Sequence, residues 1–215
     1  MIPEDFPRPH PVQFSGSPFT KAVLAALGWR VRFDGLPSRQ GVLAIYPHTS
    51  NWDVIFLLLA KSALGLPVHF WAKDALFRVP LFAPWLRWIG GVPVDRTSPH
   101  GVVAQAVQHF AQARAHERLL WLALTPEGTR KRLTGWRSGF YQTVLQTGLP
   151  LGLVRLDYGR REVTVTDFMQ PAGDAGEDFA RMACAFEGVV GRRAENASPI
   201  CLLGASVPRS ETIVR

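Results

Sequence analysis

A cluster of polar residues able to do acid–base chemistry separates two apolar segments of the sequence. The segment VLAIYPHTSNWDVIF, residues 42–56, contains His48 and Asp53. A carboxylate that holds one imidazole nitrogen leaves the other nitrogen free to act as a general base. Ser50 and Asp53 also have the S-x-x-D spacing of a helix capping box, which is a purely structural alternative. The capping box leaves His48 unexplained.

A second polar cluster, TPEGTRKRLTGWRSG, follows another apolar segment. Gly128 permits close backbone approach to a ligand, Thr129 offers a hydroxyl, and Arg130 supplies a planar fork that matches phosphate. The alternative is a solvated basic loop, which is the commoner meaning of a charge run. This cluster therefore indicates an anion site only if it lies beside the first one.

The elements that must position these clusters alternate between strands and helices. Short continuous apolar segments indicate strands that are buried on both faces. We predict strands at 42–46, 67–71, 119–124, 150–158 and 162–168, and helices at 18–29, 50–64, 79–91, from 98 onward, 136–147 and 177–193. The sequence therefore predicts an α/β fold with a mixed, centrally parallel sheet flanked by helices.

Both polar clusters come directly after apolar strands. In sheets of this kind, ligands bind beyond the carboxyl ends of the strands. We therefore expect residues 48–53 and residues 126–132 to face one crevice.

Composition and charge restrict the class of protein. The chain is 47% apolar and 19% charged, which excludes a disordered chain, and we expect one domain over residues 1–215. Its formal charge of +7 favours phosphates, acidic lipid headgroups, acidic carrier proteins or nucleic acid. Cys184 and Cys201 lack metal-type spacing, which fits a reducing compartment. We expect an irregular arm at 1–17 and a mobile tail at 195–215.

The N-terminal letters MIPEDFPRPHP do not form a signal peptide, because acids and prolines stand where basic and apolar residues are needed. The best candidate for a membrane span is the segment 54–72. Lys61 lies near its centre, and Gly65 and Pro67 interrupt a helix there. We therefore expect a buried helix, a turn and a strand in this segment, and no membrane span.

Four short blocks, taken in order, resemble the glycerolipid acyltransferase family, which includes the lysophosphatidate acyltransferases. They are H-x4-D at 48–53, G-x-x-x-D-R at 91–96, P-E-G-T-R at 126–130 and an apolar segment with a proline at 149–154. The first and third blocks are specific, whereas the glycine block alone indicates a turn before an edge strand. Pro47 departs from the family, in which asparagine often precedes the histidine. The resemblance implies a glycerolipid acyltransferase-like α/β sandwich.

The resemblance also implies a function. A fatty acyl group would move from an acyl thioester to a hydroxyl of a lysophospholipid-type acceptor, in phospholipid biosynthesis or remodelling. His48 would be the general base, and Asp53 would orient it. The residues implied to bind the acceptor's phosphate are Arg96, Glu127, Gly128, Thr129 and Arg130. Because a carboxylate repels phosphate, we expect Glu127 to anchor Arg96, Arg130 or backbone amides.

The resemblance implies no cofactor and no metal, with acyl-CoA or acyl carrier protein as the co-substrate. Because both substrates carry long acyl chains, we expect a cytoplasmic protein at the inner face of the membrane, with membrane lipids as partners. The aromatic segment 77–89, with Arg78 and Arg87, suits a membrane interface. An ordinary core helix is an equally open alternative for it, and the helix at 18–29 is a second candidate surface. The sequence leaves the oligomeric state open.

Three other functions stay open from the sequence. A non-catalytic lipid- or phosphate-binding protein would not need both His48 and Asp53. A lipid hydrolase using Ser50 with His48 would form an acyl-enzyme, but the sequence lacks the G-x-S-x-G elbow. A nucleic-acid-binding protein fits the charge, yet no recognisable motif is present, and we expect no such partner.

Overall fold

The computed structural model describes residues 5–80, 82–94 and 99–204. The strands are β1 (Arg30–Phe33), β2 (Gln40–Tyr46), β3 (Val68–Lys73), β4 (Gly91–Val94), β5 (Leu120–Leu124), β6 (Leu151–Asp157) and β7 (Glu162–Met169). The helices are α1 (Pro18–Ala26), α2 (Trp52–Leu64), α3 (Phe82–Trp88), α4 (Pro99–Ala115), α5 (Gly139–Thr147) and α6 (Ala175–Ala185), with 3-10 helices at Asp74–Arg78 and Ala194–Asn196.

The described strands form one sheet in the order β1-β7-β6-β2-β5-β3-β4. Strands β6, β2, β5, β3 and β4 run parallel to one another. Strand β7 pairs antiparallel with β6, and β1 pairs parallel with β7. The predicted mixed, centrally parallel sheet is therefore confirmed.

Helices cover both faces of the sheet, and this explains the continuous apolar strands. Every residue of β2 is buried. Because successive side chains of a strand point to opposite faces, Leu43 and Ile45 join the core beneath α1 and α2, while Val42 and Ala44 join the core beneath α4, α5 and α6. The central strands therefore hold the ends that carry the polar clusters in fixed positions.

Two helix ends differ from the sequence prediction. Helix α1 stops at Ala26 rather than residue 29, because Gly28 takes a positive φ of 74° that ends the helical path. Strand β1 then begins at Arg30. The four-residue strand is missed from the sequence because it is short and only alternately apolar. Helix α6 stops at Ala185 rather than residue 193, and Gly188, with a φ of 72°, lies in the chain that turns away.

Helix α5 begins at Gly139 rather than residue 136, because Trp136 pairs with Leu202 instead of starting the helix. The chain after residue 195 was expected to be a mobile tail. As far as residue 204 that expectation is wrong, because the tail packs on the body and Ser198 is fully buried. Residues 205–215 lie outside the described residues.

The described part of the N-terminal arm, residues 5–17, contains no helix or strand, apart from one bridge between Val12 and Leu36. Cys184 and Cys201 are both free. Among the residues that the structure describes, no helix is long and apolar enough to cross a membrane.

Candidate active site

The two polar clusters meet at the carboxyl ends of β2 and β5. These strands are parallel neighbours, with Ala44 opposite Leu124 near their ends. The chain leaves β2 toward His48 and leaves β5 toward Glu127. A cleft of about 2210 Å³ opens there, and its walls include His48 and Arg130. The expected shared crevice is present.

His48 and Asp53 form a hydrogen-bonded pair. The Nδ1 atom of His48 lies 3.1 Å from Oδ2 of Asp53. The same Oδ2 accepts hydrogen bonds from the backbone N–H groups of Thr49 and Ser50, at 2.8 and 2.9 Å. Because the contact with Asp53 involves Nδ1, Nε2 is the ring nitrogen of His48 without a hydrogen bond among the described residues, which is the arrangement that a general base requires.

The first turn of α2 explains this geometry. Helix α2 begins at Trp52, two residues later than predicted, so His48 lies in the loop before the helix and Asp53 lies within the first turn. The side chain of Asp53 is 0% exposed. Burial alone would raise the pKa of Asp53, but the hydrogen bonds from His48, Ser50, Tyr158 and Thr49 outweigh it and lower that pKa. Asp53 is therefore held as a carboxylate.

Tyr158 completes the carboxylate's hydrogen bonds and was missed in the sequence analysis. It directly follows β6, and its hydroxyl donates to Oδ1 of Asp53 at 2.7 Å. Its ring packs edge-on against Trp29 and Phe56. Burial, together with the neighbouring carboxylate, raises the pKa of Tyr158, so the hydroxyl stays a donor. No short motif signals this contact, because it joins residues far apart in the sequence.

Replacing Tyr158 with phenylalanine is expected to lower kcat about tenfold and leave KM unchanged. The ring packing survives, but Asp53 loses one charge-assisted hydrogen bond, worth about 1.5–3 kcal/mol. Tyr141→Phe is the matched control, because the Tyr141 hydroxyl donates to the buried Asp178 at 2.6 Å, away from the cleft. Steady-state kinetics and thermal unfolding of both variants make the test. If Tyr158→Phe and Tyr141→Phe lowered kcat to a similar extent, Tyr158 would contribute only to stability.

Glu127 is a buried anchor between two loops. Its Oε2 accepts from the backbone N–H of His48 at 2.6 Å, and its Oε1 accepts from the backbone N–H of Ser198 at 2.8 Å. The side chain is 0% exposed, and burial raises the pKa of Glu127 against the effect of these hydrogen bonds. Backbone amides were one of the partners expected for Glu127, and they are the groups that it contacts. It ties the histidine loop to the C-terminal segment.

The residues after Glu127 line the cleft as a basic wall. Gly128 has a φ of 65°, and a Cβ there would lie 2.8 Å from Nε of Arg137, so glycine lets this guanidinium pack over the loop. Thr129 and Arg130 line the same cleft. Arg130 is exposed, and it forms no ion pair with a carboxylate in the described part of the chain. Arg96, the other arginine predicted to bind phosphate, lies outside the described residues.

Ser50 has a structural contact rather than a catalytic one. Its Oγ accepts from the backbone N–H of Trp52, the first residue of α2, at 3.3 Å. Among the described hydrogen bonds, none joins Ser50 to the ring of His48. The arrangement therefore suits a histidine base acting on a bound hydroxyl better than a Ser50–His48 hydrolase.

Comparison with known proteins gives one family and a small set of relatives. The model of a family described as Acyltransferase matches residues 30–154. A 1-acyl-sn-glycerol-3-phosphate acyltransferase of Escherichia coli K12 is 30% identical over an alignment of 121 residues that covers 53% of this chain and 46% of that protein. A protein of the same name from Streptococcus pneumoniae R6 is 30% identical over 67 residues, 31% of this chain and 25% of its own length.

Among solved structures, the 1-acyl-sn-glycerophosphate acyltransferase of Thermotoga maritima has a TM-score of 0.47 and 22% identity, covering 76% of this chain and 70% of that one. The chain spans less than half the length of the curated relatives that it matches. The family match includes His48, Asp53, Glu127 and Arg130 and ends before Tyr158.

Proposed function

Because this chain belongs to the acyltransferase family, as its match over residues 30–154 shows, we propose that it moves a fatty acyl group from an acyl thioester to a hydroxyl of a lysophospholipid-type acceptor. The observation that carries the proposal is the His48–Asp53 pair, whose imidazole lines a cleft that it shares with Arg130. Such a reaction serves phospholipid biosynthesis or remodelling.

In the proposed mechanism, Nε2 of His48 takes the proton of the acceptor hydroxyl as its oxygen attacks the thioester carbonyl. The tetrahedral intermediate collapses, the carbon–sulfur bond breaks, and the imidazolium returns the proton to the departing thiolate. Asp53 fixes the ring and balances its positive charge during the step. A positioned general base contributes about 10²–10⁴-fold, and the remainder comes from the alignment of two bound substrates.

The shape of the cleft supports an acyl substrate. Beyond its polar mouth, the cleft is lined mainly by aliphatic and aromatic side chains of α2 and β3, with Lys61 of α2, which donates to the backbone oxygen of Ile89, among them. The apolar lining residues from α2, β3 and the turn between them include Leu57, Leu64, Leu66, Val68 and Phe70. A long acyl chain bound there would leave water without any loss of polar contacts.

We propose that the acceptor carries a phosphate, because the cleft's basic wall has an unpaired guanidinium at Arg130. The curated relatives are named as acting on 1-acyl-sn-glycerol 3-phosphate, which has such a group.

The direct experiment incubates purified protein with labelled acyl-CoA or labelled acyl-acyl carrier protein and a panel of lysolipids. Ester formation on lysophosphatidate is the expected result, and binding without transfer would favour a non-catalytic lipid-binding protein.

Replacing Arg130 with lysine is expected to lower kcat/KM for a phosphorylated acceptor by about 10–150-fold, the equivalent of about 1.5–3 kcal/mol. Lysine keeps the charge but loses the planar fork. Arg132→Lys is the control, since Arg132 donates instead to the backbone oxygen of Ala197. We measure kcat/KM for lysophosphatidate and for the corresponding monoacylglycerol, which lacks the phosphate. Arg96→Lys is measured in the same way. Equal losses of kcat/KM for both acceptors would contradict the assignment of Arg130 to the acceptor's phosphate.

We further propose that α3 rests in the membrane interface, which would make the chain a peripheral protein of the cytoplasmic face. Helix α3 buries Ala83 and Leu86 against the body, but it leaves Trp85 43% and Trp88 82% exposed. The helix is thus neither wholly core nor wholly solvated. Exposed tryptophans beside the basic Arg87 are typical of a helix that lies in a lipid interface.

Trp88→Ser is expected to weaken binding to anionic phospholipid vesicles by about tenfold or more, since burial of a large apolar side chain contributes about 1.5–3 kcal/mol. The matched variant is Phe19→Ser, because Phe19 is 75% exposed on α1, the second candidate surface. Vesicle co-sedimentation measures both variants. Loss of binding in Phe19→Ser with none in Trp88→Ser would move the contact surface to α1.

A further inference from the structure

A second cavity, of about 660 Å³, lies next to the catalytic pair. Its size falls within the range of roughly 300–1,000 Å³ that is usual for small-molecule sites. Three aromatic rings and three guanidinium groups line it: Trp29, Phe56, Tyr158, Arg161, Arg192 and Arg193. Arg193 also lines the cleft that contains His48, so the two spaces adjoin.

The three arginines of this cavity are unpaired. Arg161, Arg192 and Arg193 are exposed, and none forms an ion pair with a carboxylate among the residues that the structure describes. A neighbouring arginine differs, because Arg30 lies 3.7 Å from Glu162. Three like charges around one concavity repel one another and create a field that attracts anions. The cavity therefore has the electrostatics of an anion site.

The arginine-bearing segment is held in place by the active-site loop. The guanidinium of Arg192 lies over the rings of Trp52 and Tyr158, at 5.3 and 5.9 Å from their centroids. The backbone N–H of Arg193 donates to Oγ1 of Thr49 at 3.2 Å. Gly191 packs so closely on this loop that an added Cβ would lie 2.9 Å from Thr49 Oγ1. The guanidinium of Arg192 and the backbone of Arg193 are thus positioned before any ligand arrives.

The position of the cavity distinguishes between the two phosphorylated substrates of the proposed reaction. In a lysophospholipid the phosphate lies only a few bonds from the reacting hydroxyl, whereas coenzyme A carries its phosphates at the far end of the pantetheine arm. The cavity adjoins the cleft of His48 at Arg193, and on its Tyr158 side the chain of hydrogen bonds from Tyr158 through Asp53 leads to His48. A distinct space that adjoins the cleft suits the end of a donor that extends out of the cleft rather than the end that reacts.

We propose that this cavity binds the 3′-phosphorylated adenosine diphosphate end of an acyl-coenzyme A donor. Arginine forks match phosphate oxygens, and this end of coenzyme A presents several phosphate charges to three arginines. The arm of an acyl carrier protein has a single phosphodiester and would leave most of the positive charge uncompensated. The proposal rests on the proposed acyl transfer and specifies its donor.

Direct binding tests the site without any turnover. Adenosine 3′,5′-bisphosphate is titrated into the full chain by calorimetry, with Arg161→Gln, Arg193→Gln and the control Arg30→Gln. Arg30→Gln makes the same change of charge nearby but removes a paired side chain. We expect about tenfold weaker binding in each of the first two variants and unchanged binding in the control. Equal weakening in all three, or no binding to the parent protein, would overturn the proposal.

Kinetics then identify the source of the phosphate. Arg161→Gln should raise KM for acyl-coenzyme A about tenfold and leave KM for the acyl thioester of N-acetylcysteamine, which lacks phosphates, unchanged. A defect confined to acyl carrier protein, or one confined to binding of anionic phospholipid vesicles, would assign the cavity to a different ligand and refute the proposal. Failure to transfer from any thioester would refute the proposed function instead, while bisphosphate binding would still report on the cavity.

Discussion

Replacing His48 with alanine is expected to abolish acyl transfer while the protein stays folded. His48 Nε2 is the nitrogen left free by the Asp53 contact, and the ring lines the cleft. Removing a positioned general base costs about 10²–10⁴-fold in turnover. The side chain is not part of either apolar core, so its loss leaves no large cavity. Initial rates with saturating thioester and lysolipid, with thermal unfolding alongside, make the measurement.

His109→Ala is the control for the effect of losing an imidazole, since His109 lies exposed on α4. That variant should keep its turnover. Binding of lysolipid to His48→Ala, followed by fluorescence, should match the parent protein, because the basic wall at Arg130 is intact. Near-parental turnover in a cleanly folded His48→Ala protein would rule out His48 as the base.

Asp53→Asn is expected to lower kcat by about 10²–10³-fold, less than the loss of His48. The backbone N–H groups of Thr49 and Ser50 need an acceptor, so the amide oxygen should keep their position and face His48. The ring then keeps its tautomer, but the imidazolium that forms during transfer loses its balancing charge. The defect should therefore appear in kcat rather than in KM.

A second buried aspartate gives a close control for this variant. Asp178 is 0% exposed and accepts hydrogen bonds from the Tyr141 hydroxyl and from the backbone N–H groups of Ala172 and Gly173. Like Asp53, it accepts from one tyrosine hydroxyl and two backbone N–H groups, and its cationic neighbour is Arg181, whose guanidinium lies 3.8 Å from Oδ1, instead of a histidine. Asp178→Asn should lose a comparable free energy of unfolding and keep its turnover. If both variants lost turnover in proportion to stability, Asp53 would have no specific part in the reaction.

The central sheet and the His48–Asp53 contact could be predicted from the sequence because both leave local signals. Strand β2 is buried on both faces, so its letters are continuously apolar, and the strand ends two residues before His48. The spacing between His48 and Asp53 places a loop residue against the first turn of the following helix. Local sequence is enough to build such a contact.

Other parts of the site depend on long-range contacts and leave no local pattern. Tyr158 and Ser198 reach Asp53 and Glu127 from distant parts of the chain, and their neighbours in sequence carry no motif. For the same reason the tail was expected to be mobile, although Ser198 is buried against Glu127. The end of α6 was misplaced because Gly188 takes a positive φ of 72° and Gly191 packs against the distant Thr49.

The most direct test of acyl transfer by His48 follows both products of one reaction. Purified protein is mixed with an acyl thioester and lysophosphatidate, and free thiol, new ester and free fatty acid are measured together. The proposed mechanism predicts one new ester for each thiol released, no acyl group on the protein by intact mass, and neither product with His48→Ala. Thiol released with free fatty acid, together with an acyl adduct that disappears in Ser50→Ala, would contradict it and identify a hydrolase.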